Sequence, residues 1–330
     1  MAGQWDPEQW RQLEAALRRD LRTASDDKTA WKYVTRAAMR VMAQYSTSFY
    51  IVSRFLPFHK RERVEVIYAS VRYPDEVVDS FDIPDEERLQ RLDEWSVNYE
   101  KALRINDLCG AVAEGVTPLL AAFAKVVREA RIPPEHYRAF LMAMRMDVSP
   151  RPFQTLDDLI ESYVYGSAIV VGYFLTHVYG PAKPELMPNA LASARNLAIA
   201  LQLTNFIRDV KEDHRRGRVY LPQNLLHSAG ADMDRLNDSD NRKRIIGVIQ
   251  QVGAFAEDAY RRTAEDLDVF APDSRVAIKA CVDVYRKLNQ RIIASNDCVM
   301  RRESVSGWQK FMVLPTRKYW HLPLYAVRMK

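Results

Sequence analysis

The 330-residue sequence contains few cysteines and few glycines, and each shortage excludes a class of protein. The three cysteines, Cys109, Cys281 and Cys298, are scattered and form no Cys-x-x-Cys pair. This argues against a disulfide framework and for a reducing compartment, so we expect a cytoplasmic protein. The 11 glycines are too sparse for the frequent turns of an all-β protein. None of them forms a Gly-x-Gly, so no Rossmann fingerprint is present.

The sequence also lacks the signals of secretion and membrane insertion. Residues 1–6 contain no basic region leading into an apolar run, and we expect no signal peptide. The longest apolar run, around residues 168–175, falls well short of the ~20 residues that a spanning helix needs. We therefore expect a soluble protein, or one attached peripherally to the inner face of the membrane.

The net charge of +5 and the pI near 9.0 leave three interpretations open. The chain is simply a mildly basic soluble protein, or it binds an anionic substrate, or it contacts an anionic membrane surface. Nucleic acid is not an expected partner, because no zinc-finger spacing, RRM signature or continuous basic tract is present.

Helical periodicity runs through almost the whole sequence, and no segment alternates cleanly as a strand does. We predict an all-α fold in a single domain over residues 1–330. The segment from Thr155 to about Leu175 is apolar almost all round, so we expect it to be a central, buried helix. The other long helices are predicted over residues 7–22, 27–42, 60–80, 85–108, 118–130, 133–147, 189–215, 240–270 and 274–302.

Two of these predicted helices carry paired aspartates inside apolar surroundings. At about 100° per residue, each set of polar side chains falls within a sector of roughly 60–80° of its helix. The first acidic face consists of Tyr68, Arg72, Asp75 and Asp79, and the second acidic face consists of Gln202, Asn205, Asp209 and Asp213.

Paired carboxylates on a partly buried helix repel one another unless a cation binds between them. A single Asp-x-x-x-Asp is common on a solvated helix, and we interpret Asp157 and Asp158 in that way. Two such faces pointing at each other would instead hold Mg²⁺, which prefers oxygen ligands and commonly bridges carboxylates to substrate phosphates. Arg215, Arg216 and Arg218 supply further anion contacts.

Metal-assisted loss of diphosphate would leave a carbocation, which must be kept away from water. The central helix offers such an environment. Its small residues, Gly166, Ser167, Ala168 and Gly172, would leave room for long hydrocarbon tails. The alternative is that these small residues serve only close helix packing.

The motifs together resemble the squalene/phytoene synthase family, from about Tyr45 to about Arg302. The resemblance is carried by Arg72-x-x-Asp75-Glu-x-x-Asp79, by Tyr165-Gly-Ser-Ala, and by the second acidic face followed by Arg218-Val-Tyr-Leu-Pro. It implies an isoprenoid synthase fold, a helical bundle around a central cavity. It also implies Mg²⁺-dependent head-to-head condensation of two prenyl diphosphates through a cyclopropylcarbinyl diphosphate, with Mn²⁺ as an alternative metal.

The resemblance also implies roles for individual residues. Asp75, Asp79, Asp209 and Asp213 would bind the metals. Arg72 and Arg208 would contact diphosphate, and Tyr165 would lie near the cyclopropyl intermediate. The remaining substrate contacts would be Ser46, Phe49, Tyr68, Gln202, Asn205, Arg218, Tyr285 and Arg302, with Arg301 nearly as good as Arg302 by spacing.

Three positions depart from the family pattern. Tyr45 stands where many members have His, which changes a polar contact near the entrance. Glu76 replaces a second Asp, and we expect it to be auxiliary. Pro74 precedes Asp75, and because proline inside a helix removes a backbone hydrogen bond, we expect a kink that displaces Asp75.

The favoured function is a bacterial-type phytoene synthase that uses geranylgeranyl diphosphate. The alternatives are a squalene, dehydrosqualene or presqualene diphosphate synthase that uses farnesyl diphosphate, with NADPH required only for squalene. A head-to-tail prenyltransferase or a class I terpene cyclase stays open as another class, although the Asp-Asp-x-x-Asp motif or the Asn-Ser-Glu type second motif that these proteins usually carry is absent. A non-catalytic assembly factor would be expected to have lost some of the four aspartates.

The last segment, residues 307–330, is basic and aromatic and includes Trp308, Arg317 and Trp320. Such a composition is typical of peripheral contact with an anionic membrane, which is our hypothesis for it. The alternative is a final helix packed on the domain.

Overall fold

The computed structural model describes residues 5–305, and these fold as a bundle of helices. Within that range no β-strand forms; a single isolated bridge joins Pro181 to Phe270. The all-α prediction is confirmed. The helices are α1 (Pro7–Arg22), α2 (Asp27–Tyr45), α3 (Thr47–Ser53), α4 (Phe58–Asp79), α5 (Asp85–Leu103), α6 (Leu108–Ala113), α7 (Pro118–Glu129), α8 (Pro134–Met146), α9 (Leu156–Tyr179), α10 (Met187–Arg215), α11 (Gln223–Ala229), α12 (Ser239–Glu265) and α13 (Pro272–Ala294).

Side-chain caps fix where several helices begin. Asp6 forms a capping box with Gln9 at the start of α1, and Asp26 accepts the backbone N–H of Thr29 at the start of α2. Ser46 ends α2 and caps α3, where its hydroxyl accepts the N–H of Phe49 at 3.2 Å. These caps satisfy N–H groups that have no partner inside their own helix, and they fix the residue at which each helix begins.

The packing order of the helices creates the space for a site. Helix α9 packs against α8, α10 and α4, and α10 packs in turn on α12, which packs on α13. Helix α4 also packs against α2 and α7, while the short α3 lies between α2 and α13. As a result, α4 and α10, which carry the two acidic faces, stand on opposite sides of a cleft whose interior wall is α9.

Helix α9 is central, as predicted, and it ends at Tyr179. Gly180 ends it with a left-handed φ of 74°. Its middle part, Ile160–Ile169, has π-helical hydrogen bonding, a geometry often found at functional sites. By length and composition alone α9 is apolar enough to cross a membrane, and half of the tested window is buried inside the bundle. A core helix passes the same test.

The small residues of α9 divide into two roles. A Cβ on Gly166 would lie 2.6 Å from the backbone oxygen of Ala139 and 2.7 Å from the Cβ of Ala143. Gly166 therefore serves the close approach of α8 and α9, and the expectation that it leaves room for a substrate tail is wrong. Ser167, Ala168 and Gly172 do line a cavity.

Three predicted helix ends were placed too late. The helix expected over residues 85–108 ends at Leu103, because Asp107 accepts the N–H groups of Cys109 and Gly110 and starts α6. The helix expected to reach residue 270 ends at Glu265, and Arg275 holds the following loop by donating to the backbone oxygen of Phe270 at 2.8 Å. The last predicted helix, 274–302, ends at Ala294.

Candidate active site

The first acidic face lies on an unbroken helix. Helix α4 continues through Pro74 to Asp79, so the proline does not end it. Proline removes the hydrogen bond to the carbonyl four residues earlier, that of Ser70. The Tyr137 hydroxyl replaces it, donating to the Ser70 oxygen at 2.7 Å while accepting the indole N–H of Trp95 at 2.8 Å. Because the orphaned carbonyl is satisfied, Asp75 keeps its place on the face.

Arg72 binds two carboxylates of the first acidic face at once. One terminal nitrogen lies 2.5 Å from Asp75 and the other 2.6 Å from Glu76. The Glu76 side chain is fully buried, and burial raises its pKa to about 7 against the opposing charge of Arg72. Burial also raises the pKa of Asp75. Glu76 therefore holds the Arg72 guanidinium in place through a buried ion pair. The sequence had suggested only an auxiliary role for it.

Asp79 faces the end of the second motif. The Arg218 guanidinium, which is buried, forms an ion pair with Asp79 and also donates to the backbone oxygens of Val78 and Asp147, both at 3.1 Å. Arg216 lies 3.6 Å from the same carboxylate. Arg218 thus ties the chain just beyond α10 to the last turn of α4, which fixes how the two faces meet.

The second acidic face lies on α10, and its Asp209 is neutralised by two arginines. Arg208 forms a forked pair with Asp209, and the Nε atom of Arg302 donates to the same carboxylate at 2.6 Å. Burial alone would raise the pKa of Asp209, but these hydrogen bonds lower it below the ordinary value. Arg302 rather than Arg301 therefore reaches this face.

Asp213 forms no ion pair with any residue in the range 5–305. Burial is the main reason that its pKa is raised to about 8, and the negative charges of Asp209 and Asp79 raise it further. The contribution of Asp79 shows that the two acidic faces lie within electrostatic reach of each other. Arg216 and Arg218 act on Asp213 only at longer range and do not offset these effects. A carboxylate with no direct ion pair, near two others, is the group that a metal would stabilise most.

Aromatic residues from three helices join the two faces. Phe49 lies 5.6 Å from Tyr285 and 6.2 Å from Tyr68, measured between ring centroids. Tyr285 is within reach of Ser46, Tyr68 and Arg208, and burial raises its pKa. Four of the predicted substrate contacts, Ser46, Phe49, Tyr68 and Tyr285, are therefore brought together.

Below this cluster lies an apolar cavity of about 200 Å³ between α3, α9, α10 and α13. On α10 its lining runs from Ala194 to Asn205, roughly 16 Å of helix at 1.5 Å per residue. Gln202 and Asn205 line the end nearest the second acidic face. The rest of the lining is mostly apolar, which suits an apolar ligand with a polar head; its other polar side chains are Ser167, Thr176, Tyr179 and Cys281.

Two loops close the far end of the cavity, near Tyr179 and Phe270. The N–H of Ala182 donates to the oxygen of Val269 at 2.7 Å, and the N–H of Ala271 donates to the oxygen of Gly180 at 2.9 Å. The Lys60 ammonium group reaches the Tyr179 oxygen at 2.7 Å and the Asp273 carboxylate at 2.6 Å. The floor is therefore built from three separate parts of the chain.

The predicted place of Tyr165 near the cyclopropyl intermediate stays a prediction. Tyr165 is half-buried on α9 but is not among the residues that line the cavity, and its phenol lies near that of Tyr173, whose pKa it helps to raise. The residues of α9 that do line the cavity near its middle are Ser167, Ala168 and Val171.

A second cluster of ligand-type atoms lies elsewhere, where Asp27, Asp107 and Cys109 approach within 4.8 Å of one another. Asp27 binds Lys125 at 3.0 Å, and Asp107 caps α6. Both carboxylates are therefore already engaged in structural contacts, and the cluster shares no residue with the two acidic faces.

Comparison with known proteins places this site in a family. Residues 42–309 match the family model described as squalene/phytoene synthase. The chain belongs to the squalene/phytoene synthase family. It is 32% identical to a 15-cis-phytoene synthase of Enterobacter agglomerans over 278 residues, which cover 82% of this chain and 90% of that one. It is 30% identical to a phytoene synthase of Arthrospira platensis over 292 residues, covering 84% and 89%.

Solved structures agree in fold with this family member. A dehydrosqualene synthase in complex with ligand superposes with a TM-score of 0.73 at 22% identity, covering 90% of this chain and all of that one. A squalene synthase of Alicyclobacillus acidocaldarius gives a TM-score of 0.64 at 23% identity, covering 80% and 93%. The chain is a prenyltransferase of the phytoene/squalene synthase type with the corresponding all-α isoprenoid synthase fold.

Sequence reasoning missed one buried polar group beside the site of this synthase. The Asp147 carboxylate accepts the hydroxyls of Tyr163 at 2.6 Å and Tyr220 at 2.8 Å, and it lies 4.0 Å from the Nε atom of Arg218. Burial raises the pKa of Asp147 to about 6. Its only signal in the sequence was a lone acid between apolar residues at the end of a predicted helix.

Proposed function

We propose that this enzyme joins two geranylgeranyl diphosphates head to head to form phytoene, in a reaction that requires Mg²⁺. The observation that carries the proposal is the pair of facing acidic faces at one end of a cavity lined by hydrocarbon. The names of the curated relatives, which are phytoene synthases from bacteria and plants, support the C40 product.

The donor set suits a hard divalent cation. Asp75, Asp79, Asp209 and Asp213 would hold Mg²⁺, or Mn²⁺ in its place, since all four offer carboxylate oxygens. The raised pKa of Asp213, which lacks a cationic partner among the residues described, supports this fit. When bound, the metal would neutralise the charge of the leaving diphosphate.

The arginines would bind the diphosphate, and the cavity would bind the hydrocarbon tail. Arg72, Arg208 and Arg302 are ion-paired with the aspartates, and we propose that they turn to diphosphate oxygens when substrate binds. The phenols of Tyr68 and Tyr285 would border the reacting carbons. The cavity along α9 and α10 would hold one prenyl tail and exclude water from the cation that forms when diphosphate leaves.

A synthase that uses farnesyl diphosphate is the second candidate. The solved structures that match include a dehydrosqualene synthase and a squalene synthase, but at these identities the likeness concerns the fold. A non-catalytic role is disfavoured, because all four aspartates and the arginines that pair with them are present.

Product analysis tests the proposal directly. Purified full-length protein would be incubated with Mg²⁺ and labelled C15 or C20 diphosphate, with and without NADPH, and the products identified by mass. A C40 hydrocarbon formed from the C20 substrate without NADPH is expected. A C30 product from the C15 substrate alone would favour the second candidate, and no hydrocarbon or cyclopropyl diphosphate in any arm would contradict both. Asp209→Ala, the matched negative variant, should abolish turnover with little loss of folding.

The tail hypothesis falls outside the described residues, in 306–330. We propose peripheral contact of this segment with anionic membranes, and no contact of the protein with nucleic acid. Co-sedimentation of intact and truncated protein with anionic liposomes tests it, with salt-sensitive binding expected of the intact form alone.

A further inference from the structure

Helix α1 lies upstream of the region that matches the family model, which begins at residue 42. The segment nevertheless reaches the candidate active site. The backbone N–H of Trp5 donates to the Tyr45 hydroxyl at 2.9 Å. The Trp10 ring stacks on the Tyr45 ring with 6.1 Å between centroids and an interplanar angle of 21°. Tyr45 is thus held from both its hydroxyl and its face by residues that precede α2.

Tyr45 in turn contacts an arginine of the first acidic face. The guanidinium carbon of Arg72 lies 4.4 Å from the centre of the Tyr45 ring, within the range of a cation–π contact. The same guanidinium binds Asp75 on one side and Glu76 on the other. Three groups therefore set the position of Arg72: two carboxylates from its own helix and one aromatic ring from α2.

The stack behind Tyr45 continues into the core. Trp10 meets Tyr73 edge-on at 5.4 Å, and Tyr73 stacks on Trp95 of α5 at 4.3 Å. Trp10 and Trp95 are both buried. Because the rings are backed by the core, Tyr45 cannot turn away from Arg72 without moving α1.

We propose that the segment 5–22, acting through Trp5, Trp10 and Tyr45, positions the guanidinium of Arg72 for diphosphate. The inference rests on the proposed function of the site. Once Asp75 is given over to a metal, Arg72 loses one of its three supports, and only Glu76 and the Tyr45 ring remain. Tyr45 is then the contact that keeps the guanidinium aimed into the cleft rather than folded back along α4. This gives a physical reason for tyrosine at position 45, since its hydroxyl extends far enough to meet the Trp5 backbone.

The test measures diphosphate affinity as well as turnover in the full-length chain. Tyr45→Leu removes the ring, whereas Tyr45→Phe keeps it and loses only the hydroxyl. The affinity for inorganic pyrophosphate in the presence of Mg²⁺ would be measured by calorimetry, together with kcat and KM for the prenyl diphosphate. We expect Tyr45→Leu to weaken pyrophosphate binding about tenfold or more, Tyr45→Phe to stay within about threefold of wild type, and Trp10→Leu to fall between them.

A double-mutant cycle separates positioning from general destabilisation. In an Arg72→Lys background, Tyr45→Leu should cause little further loss of affinity, because the stacked guanidinium is already gone. Tyr99→Leu, a buried aromatic truncation on α5, serves as the stability control: it should lower the melting temperature without changing pyrophosphate affinity. Equal losses from Tyr45→Leu in both backgrounds, or wild-type affinity in Tyr45→Leu, would overturn the proposal.

The proposed function and the positioning role of Tyr45 can be contradicted separately. A wild-type protein that binds pyrophosphate through Arg72 but forms no C30 or C40 product would contradict the proposed function and leave the positioning role standing. A protein that makes the product while Tyr45→Leu binds pyrophosphate as wild type does would contradict the positioning role alone. Pyrophosphate affinity unaffected by Arg72→Lys would also overturn it.

Discussion

The two acidic faces differ in how their charge is balanced before any metal binds. On α4, both aspartates are paired: Asp75 with Arg72, and Asp79 with Arg218 and Arg216. On α10, only Asp209 forms direct ion pairs among the residues described, while Asp213 is affected by Arg216 and Arg218 only at longer range and has its pKa raised to about 8. Both aspartates of the first face therefore have an ion-pair partner, whereas one aspartate of the second face has none among the residues described.

If the four aspartates bind Mg²⁺ as proposed, this difference explains how the protein folds before the metal binds. Three of the four carboxylates are ion-paired with arginines that are themselves suited to bind diphosphate. The fourth, Asp213, is tolerated because it can remain protonated. On binding, the metal would therefore replace arginine as the partner of the aspartates, and the substrate diphosphate would become the new partner of the arginines. Neither would have to enter a cluster of unpaired negative charges.

The strongest test of this contrast is Asp213→Asn. We expect kcat/KM to fall on the order of 10³-fold, because loss of one metal ligand removes several kcal/mol of transition-state stabilisation. Stability of the metal-free protein near pH 8 should be unchanged or higher, since a repelled carboxylate has been removed. Steady-state kinetics and denaturant unfolding measure the two effects. Asp157→Asn, an exposed aspartate on α9, is the matched control, and an Asp213→Asn enzyme as active as this control would refute the metal role.

The next largest effect concerns the paired face. Arg218→Ala should destabilise the fold by about 3 kcal/mol, because it leaves the buried Asp147 without a cation and the partly buried Asp79 with only the longer contact to Arg216. Arg216→Ala removes a longer and more exposed contact to the same Asp79 and should cost under about 1 kcal/mol. Urea unfolding of both variants gives the comparison. Equal costs would mean that Arg218 is no more than a surface partner.

Protonation gives a third test, specific to the unpaired aspartate. At pH 7 Asp213 should be mostly protonated, so binding of Mg²⁺ with pyrophosphate should release close to one proton there and little at pH 9. Calorimetry in buffers of different ionisation enthalpy measures this release. Since the pKa in the folded state is raised, the folded protein holds the extra proton between pH 4 and 8, and the contribution of Asp213 to stability declines as pH rises through that window. Release that persists unchanged in Asp213→Asn would assign the proton to another group.

The smallest expected effect concerns the Ser70 carbonyl, which Pro74 leaves without a partner inside α4. Tyr137→Phe should cost about 1–3 kcal/mol, because the carbonyl of Ser70 and the indole N–H of Trp95 both lose their partner. Pro74→Ala alone should change stability by less, since it restores a backbone N–H that can reach the same carbonyl. In the double variant the cost of Tyr137→Phe should shrink, and strict additivity of the two changes would argue against this account.

The residues that carry the chemistry of the site could be predicted from the sequence, but most of the contacts that hold them in place could not. Asp209 and Asp213 were predictable because helical periodicity alone puts them on one stripe, and Arg302 because spacing from Tyr285 placed it near. The group that satisfies the Ser70 carbonyl was not predictable, since it comes from Tyr137, 67 residues away. Asp147 was missed for the same reason: its partners Tyr163 and Tyr220 meet it only after folding. Local rules fix which face a residue occupies, whereas long-range contacts decide what holds it there.

The loop-built floor of the cavity has a consequence for how this enzyme can be altered. Phe270 lies in the short connection between α12 and α13, and the connection after Tyr179 closes against it. Phe270 packs against Ala190 and Ala194 near the start of α10, roughly 22 Å along the helix from Asp209 at 1.5 Å per residue, so an exchange of its side chain acts far from the aspartates. The depth available to a hydrocarbon tail and the geometry of the reacting end are therefore separately adjustable. Selection, or a designer, could change the length of the product while leaving the chemistry that makes it intact.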